Sequence, residues 1–331
     1  MGCHRSGTNL LYDMLLSAGG FAIYRGYLPI YKTFVPLYGS MENRSNREKI
    51  VANWLRSKGF RRTGLDAGNI SGRIVNDCRS AGDFIRTVMD AIAQNQSVPR
   101  WAVYDPDNVL HMERVKRDIP NALFVHIIRD GRDIALSLKK MGGFAPLPWD
   151  RSTTPALAAT ALYWQWMVRK GRESGAKMPG DYIEIHYEDL IVKPHETLKT
   201  LGAFLDHDLD YDRIRNAGLG RLSETNSSFR EEGRKEDIQP LGRWKERLSV
   251  QDIAAIEGAV GSCLQETGYE LSLPASDRAR GLRNAWMRAV YPNYLNAKLW
   301  LKMSTRVGRW TDTGALELED EPQPAVQSAG S

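Results

Sequence analysis

Apolar positions along the chain alternate between a helical and an extended period. Residues 8–18 carry Leu10, Leu11, Met14 and Leu15 at helical spacing before Gly19-Gly20, which predicts a helix with a glycine stop. The same pattern predicts helices over 48–58 and 81–96, then a short strand at 101–104 and a helix over 108–118. The largely apolar run 122–128 reads as a buried strand, 129–131 as a turn and 132–140 as a helix, which is half of a βαβ unit. A long helix within 155–172, a strand at 181–186 and a helix over 194–205 with Pro194 at its start repeat the alternation. A further helix follows at 250–263. Strands alternating with helices predict a parallel sheet.

Between these elements lie stretches without a clear period. Residues 21–39 hold Tyr24, Tyr27, Tyr31, Phe34 and Tyr38 among prolines, an irregular segment that either lines a cleft or packs. Residues 218–244 are polar and Gly-containing and read as a long loop. The segment 278–310 is basic, with Trp286, Met287, Val290, Tyr291, Leu295, Leu299, Trp300 and Leu301 as its apolar part. It reads as a helix lying on the domain or on a membrane surface. The acidic, Pro-, Ala- and Ser-rich tail 311–331 has too little apolar content to order itself. The expected organisation is therefore a main domain over 1–275, a basic amphipathic helical segment over 276–310 and a disordered tail.

Composition narrows the partners. The 331 residues carry a formal charge of +5, with 42% hydrophobic and 26% charged residues, the range of a globular α/β protein. This small cationic excess suits a phosphate-rich small molecule and does not call for nucleic acid. Cys3, Cys78 and Cys263 are too few and too scattered for a disulfide framework or a zinc site, and a reducing cytoplasm, with membrane association through 278–310 as a variant, is the expected setting. No apolar run reaches a membrane span.

Gly2-Cys3-His4-Arg5-Ser6-Gly7-Thr8-Asn9 has the two-glycine spacing of a phosphate loop, but Thr8 stands where a nucleoside triphosphatase has its Lys. Backbone N–H groups, hydroxyls and a helix N-terminus suffice for a single phosphate, and Ser6, Gly7, Thr8 and Asn9 supply them. Arg5 places the cation inside the loop, within reach of the oxygen bridging to a departing group, an arrangement suited to group transfer without metal. A phosphate loop is ordinarily fed by a buried strand, so the abrupt start at Met1 suggests that the first strand lies upstream. In the second constellation, Arg129 leaves a strand end and Ser137 follows two helical turns later, so a guanidinium and a hydroxyl can converge on one phosphate. The alternative is a helix cap beside a solvated serine.

These two stretches, Arg5-Ser6-Gly7-Thr8 and Val125 to Ser137, resemble the 5′-phosphosulfate and 3′-phosphate motifs of the sulfotransferases that use 3′-phosphoadenosine 5′-phosphosulfate (PAPS), in the family's order. The resemblance extends to Tyr182 to Leu190, whose Tyr187 would border the nucleotide. It includes Asn226-Ser227-Ser228-Phe229 on the adenine side and Gly242-Arg243-Trp244-Lys245 near the 3′-phosphate. Phe229 and Trp244 read equally well as core residues. Leu10 replaces a frequent aromatic, and the Arg-Lys-Gly that often precedes the last element is missing, leaving Arg234, Lys235 or Arg243 as substitutes. The resemblance implies a P-loop-like three-layer α/β sandwich with a central parallel sheet flanked by helices, plus a helical C-terminal extension. It also implies PAPS as co-substrate, no metal, and sulfuryl transfer to a hydroxyl or amine.

The family's proton acceptor is a His or carboxylate. Asp105, after the predicted strand 101–104, is the first candidate, with a helix cap as its alternative role. His111 is the second, with packing as its alternative. The tyrosines of 24–38 favour an apolar small-molecule or carbohydrate acceptor over a highly anionic one, and the basic segment 278–310 would bring a lipid-like acceptor within reach. A P-loop kinase-like enzyme is disfavoured by Thr8, and a non-catalytic binder of 3′-phosphoadenosine nucleotides remains as a different class. Oligomeric state is not legible in the sequence.

Overall fold

The computed structural model describes residues 1–141, 146–147, 156–219, 241–278 and 282–310. Its centre is a parallel pair, β1 (Phe124–Ile128) and β2 (Tyr182–His186), with Phe124 opposite Tyr182 and Ile128 opposite His186. Side chains alternate across this pair as the pleat requires. Phe124 and Ile128 join one core with helices α8 (Gly131–Met141), α9 (Leu157–Gly175) and α14 (Val250–Glu266). Ile127, Val125, Ile183 and Ile185 join the other, formed with α1 (Thr8–Ser17) and α11 (Pro194–Leu205). The mixed α/β character and parallel pairing agree with expectation, but among the described residues the sheet has two strands rather than a wide central layer. Met1 lies along the other edge of β1, donating from its amino group to the Val125 carbonyl (3.0 Å) and accepting from Ile127 N–H (3.0 Å).

The expected strand 101–104 is not formed. Only Arg100 bridges, to Phe21, and the extended residues after it have no ladder partner. A third core gathers α3 (Arg44–Leu55), α5 (Ala67–Asp77) and α6 (Ala81–Asn95) around Trp54, Phe84 and Phe34. The aromatic segment feeds it through a π-helical turn (Ile30–Phe34) and the short α2 (Val35–Tyr38). Helix α3 starts earlier than its apolar pattern because the Asn43 side chain caps it, accepting from Ser45 N–H. Its successor α4 (Lys58–Arg61) is capped by Ser57. The helix expected over 108–118 is split into a 3₁₀ turn (Pro106–Leu110) and α7 (Met112–Asp118), because Asp105 caps a new start.

Three short helices, α10 (Tyr187–Val192), α12 (Tyr211–Ala217) and α13 (Trp244–Arg247), complete the body with α15 (Leu282–Ser304). Helix α15 buries Met287, Tyr291 and Leu295 in the α8–α9–α14 core, so the C-terminal segment packs on the domain. No helix among the described residues is long and apolar enough to cross a membrane.

Candidate active site

The loop 2–7 runs from the edge of β1 to the start of α1, and three of its residues, Gly2, Arg5 and Gly7, have positive φ. Gly7 has φ 96°, and a side chain there would collide with the Tyr187 ring. Arg5 has φ 73°, which is sparsely populated for a residue with a Cβ and persists only when its surroundings hold it. The first N–H groups of α1 have no intrahelical partners by construction and carry the positive end of the helix dipole. Ser6 is buried, and among the described residues its hydroxyl has no hydrogen-bond partner. Buried polar groups are almost always satisfied, so this orphan marks a place where an external acceptor fits. Thr8 is buried in the first turn of α1, and Asn9 beside it is half-buried.

The second constellation closes over this loop. Arg129, at the end of β1, lies with its guanidinium 4.3 Å from the Tyr187 ring centre and donates to the Arg5 carbonyl at 3.3 Å. Ser137, two turns along α8, accepts from Arg5 Nε at 3.1 Å. Residues 132 positions apart are thus in direct contact, as the motif reading requires. The turn between β1 and α8 is fixed from three sides. Trp164 Nε1 donates to the Arg129 carbonyl (3.0 Å), Glu188 accepts from Asp130 N–H (3.0 Å), and Gly131 sits where a Cβ would lie 2.6 Å from the Trp164 ring.

A third segment is docked by Asp133, whose carboxylate accepts from the N–H groups of Gly242 (3.1 Å) and Trp244 (3.0 Å). Asp133 also pairs with Arg129 at 3.5 Å. Arg243, between the two donors, is held below the usual guanidinium range by burial and by the neighbouring charge of Arg129. Arg129 thus pairs with Asp133, lies near Arg243 and reaches the Arg5 carbonyl, a gathering of guanidinium groups able to hold a doubly charged phosphate. Trp244 is buried under the Arg132 guanidinium, 3.7 Å from its ring centre. This matches the packed alternative rather than a base platform. Ser227, Phe229, Arg234 and Lys235 lie outside the described residues. Among those described, no group of three or more His, Cys, Asp or Glu could hold a metal ion.

A cavity of ≈ 360 Å³ opens beside the loop, walled by His4, Arg25, Tyr27, Lys32, Tyr104 and Asp105. Asp105 both caps and faces this cavity. Its carboxylate accepts from Asp107 N–H at 2.9 Å, while burial and then the Asp107 charge push its pKa up to about 6. The two sequence alternatives for this residue are compatible. His111 is placed differently. It is buried beside Tyr31, with ring centres 6.2 Å apart, and is not among the cavity-lining residues. Burial lowers its pKa to about 4, so it is neutral near pH 7, and the packing alternative holds.

Sequence reasoning missed the polar chain behind Asp105. His4 Nε2 lies 3.2 Å from Asp107 Oδ1, and Lys32 pairs with the other oxygen. Burial opposes the Asp107 charge, but these partners prevail and hold its carboxyl below the ordinary range. On the far wall Arg25 pairs with Asp13 of α1, and Arg62 donates to the Arg25 carbonyl at 3.2 Å. Cation–carboxylate partners so far apart in sequence leave no local pattern.

The geometry can be set beside known proteins. A model of the sulfotransferase family matches residues 1–211. A Caenorhabditis elegans protein that carries a provisional protein-tyrosine sulfotransferase name is 25% identical over 223 residues, covering 66% of this chain and 83% of its own length. Protein-tyrosine sulfotransferase A of the same organism is 24% identical over 235 residues, 69% of this chain and 57% of its own. Among solved structures, the sulfotransferase domain from the curacin biosynthetic pathway aligns over 82% of this chain and 96% of its own length. Its sequence identity is 16% and its TM-score 0.48, a likeness that bears on neither substrate nor detailed geometry. The family match spans most of the chain and contains both the loop 2–7 and the turn from Arg129 to Ser137, and the chain belongs to the sulfotransferase family.

Proposed function

We propose that the protein transfers a sulfuryl group from PAPS to an acceptor hydroxyl presented in the cavity beside Asp105. The observation that carries this reading is the junction of the two motifs: Arg5 bonded to Ser137 and Arg129 bonded to Arg5, around the unpartnered Ser6 hydroxyl. PAPS would supply an activated sulfur–oxygen bond. Ser6 and the N–H groups opening α1 would hold its 5′-phosphate, and Arg129, Ser137 and Arg243 its 3′-phosphate. Arg5 would stabilise charge growing on the oxygen released from sulfur as the acceptor oxygen bonds on the opposite side. Asp105 would take the acceptor proton, a role that its elevated pKa suits at neutral pH.

The names of the relatives add a protein acceptor to the small-molecule, carbohydrate and lipid-like classes expected from the sequence. A tyrosine hydroxyl on a polypeptide is our first candidate, and the cavity's Tyr27, Tyr104, Arg25 and Lys32 provide an aromatic and cationic wall for it. The test is radiolabelled sulfuryl transfer from PAPS to a tyrosine peptide, a small phenol and a glycoside, alongside calorimetric binding of 3′-phosphoadenosine 5′-phosphate against magnesium ATP. Tight bisphosphate binding and labelled peptide support the reading. Binding of ATP alone overturns it, and label on the phenol or glycoside but not the peptide overturns the choice of acceptor.

A further inference from the structure

Two carboxylates stand two positions apart where the extended residues 101–105 enter the 3₁₀ turn (Pro106–Leu110). Asp105 walls the cavity, and Asp107 is buried next to it. Asp107 donates its N–H to the Asp105 carboxylate at 2.9 Å. Both oxygens of its own carboxylate are engaged, Oδ1 lying 3.2 Å from His4 Nε2 and Oδ2 pairing with Lys32. These partners come from separate elements. His4 belongs to the loop 2–7 and directly precedes Arg5, whereas Lys32 lies in the π-helical turn (Ile30–Phe34), and both wall the same cavity as Asp105. The Gly2 N–H, which donates to the Pro106 carbonyl at 3.5 Å, joins the loop to the 3₁₀ turn a second time. Burying a carboxylate is costly unless partners hold it. Asp105 already caps the turn, so a second buried carboxylate is not needed to start it. We infer that Asp107 is a positioning residue for the transfer reaction: it ties the loop that carries Arg5 to the cavity wall that carries Lys32, and its fixed negative charge keeps Asp105 ready to accept a proton. The inference rests on the reading of Asp105 as the proton acceptor.

Two like charges this close cannot both be held with ordinary affinity. Asp107 has the partners and stays ionised, so the proton goes to Asp105, whose pKa is raised by burial and then by the Asp107 charge. Lys32 acts in the opposite sense on Asp105. Other groups face the pair from each side: Tyr27 of the aromatic segment, Tyr104 before the turn, Met1 and Cys3 at the loop, His111 after the turn and Tyr163 of α9. Arg25 and Arg62 wall the cavity as well. Burial raises Tyr27, Cys3 and Tyr163 and lowers His111 to about 4, so these four are neutral near pH 6. The Met1 amino group, lowered by burial to about 6, titrates in the same interval and is common to every variant compared below.

The test is the pH dependence of transfer in the wild type and in Asp107→Asn, Lys32→Met and His4→Gln. Alongside it runs a carboxyl-carbon NMR titration of Asp105 in each protein without substrate, the signal assigned by Asp105→Asn. Removing the negative charge in Asp107→Asn should lower the Asp105 midpoint by about one pH unit or more, and removing the positive charge in Lys32→Met should raise it by about as much. The acid limb of the rate should follow in each. His4→Gln keeps a donor for Asp107 and should leave the midpoint in place, whatever it does to the rate. General loosening of the site does not displace a midpoint in opposite directions, and either displacement can be read alone if the other variant fails to fold. Midpoints that stay in place in Asp107→Asn and Lys32→Met, or that move together, overturn the inference. An acid limb that vanishes in His4→Gln gives the proton to His4 and overturns it as well. Midpoints that move as expected while the limb does not follow, or full activity in Asp105→Asn, uphold the charge coupling and overturn the choice of Asp105 as base.

Discussion

Arg5 and Arg129 meet across the chain yet have separable tasks. Arg129→Ala removes the guanidinium assigned above to the proposed 3′-phosphate, and calorimetry is expected to show a loss of about 10- to 100-fold in affinity for 3′-phosphoadenosine 5′-phosphate. Arg5→Ala should weaken that binding less and lower the transfer rate by about 10²- to 10³-fold, since its charge is needed most as the leaving oxygen forms. Asp105→Asn tests proton transfer without removing the cap, because an amide oxygen can still accept from Asp107 N–H. A rate loss of about 10²-fold or more is expected. The wild-type rate should fall with decreasing pH through about 6, where Asp105 becomes protonated. Stability runs in the opposite sense. A carboxyl whose folded pKa is raised binds its proton more tightly when folded, so its contribution is complete below the ordinary value of 3.8 and lost as pH rises through about 6. Thermal melts of Asp105→Asn should accordingly gain on the wild type across that interval. These residues were legible because each sits in a local pattern. His4, although inside the loop motif, was not, since its partner Asp107 lies 103 positions away.

Among elements, legibility followed the strength of the repeat. Helices α1, α6, α8, α11 and α14 and strands β1 and β2 have apolar runs long enough to fix their period. Helix α5 reads AGNISGRIVND and buries only Ile70 and Ile74, too sparse a signal to stand above its two glycines. The segment 101–104 has strand-like residues, but a strand needs a partner, and no sequence pattern reveals whether one is adjacent. The β1–α8 junction depends on such tertiary fit. Gly131→Ala would press a methyl into Trp164 and is expected to destabilise the protein by about 1–3 kcal/mol, read as a lowered melting temperature. Asp133→Asn keeps α8 but weakens the anchor of residues 242–244, and bisphosphate affinity should drop with little change in melting.

Over the whole molecule, the loop 2–7 and the turn between β1 and α8 hang on the two cores that sandwich the sheet, whereas Phe34, Ser57, Gly59 and Arg62 reach the cavity from the side of the core of α3, α5 and α6. Hydrogen exchange with 3′-phosphoadenosine 5′-phosphate bound should show added protection at residues 2–9, 129–137 and 241–244 together, with α3, α5 and α6 unchanged. Protection spreading evenly over all three cores would contradict that separation. Because the walls of the cavity are supported from different interiors, exchanging the α3–α6 region for a relative's is expected to alter acceptor choice more than bisphosphate affinity. Substitutions on the two sides should depart from additivity only where Lys32 and His4 meet Asp107 and Arg25 meets Asp13.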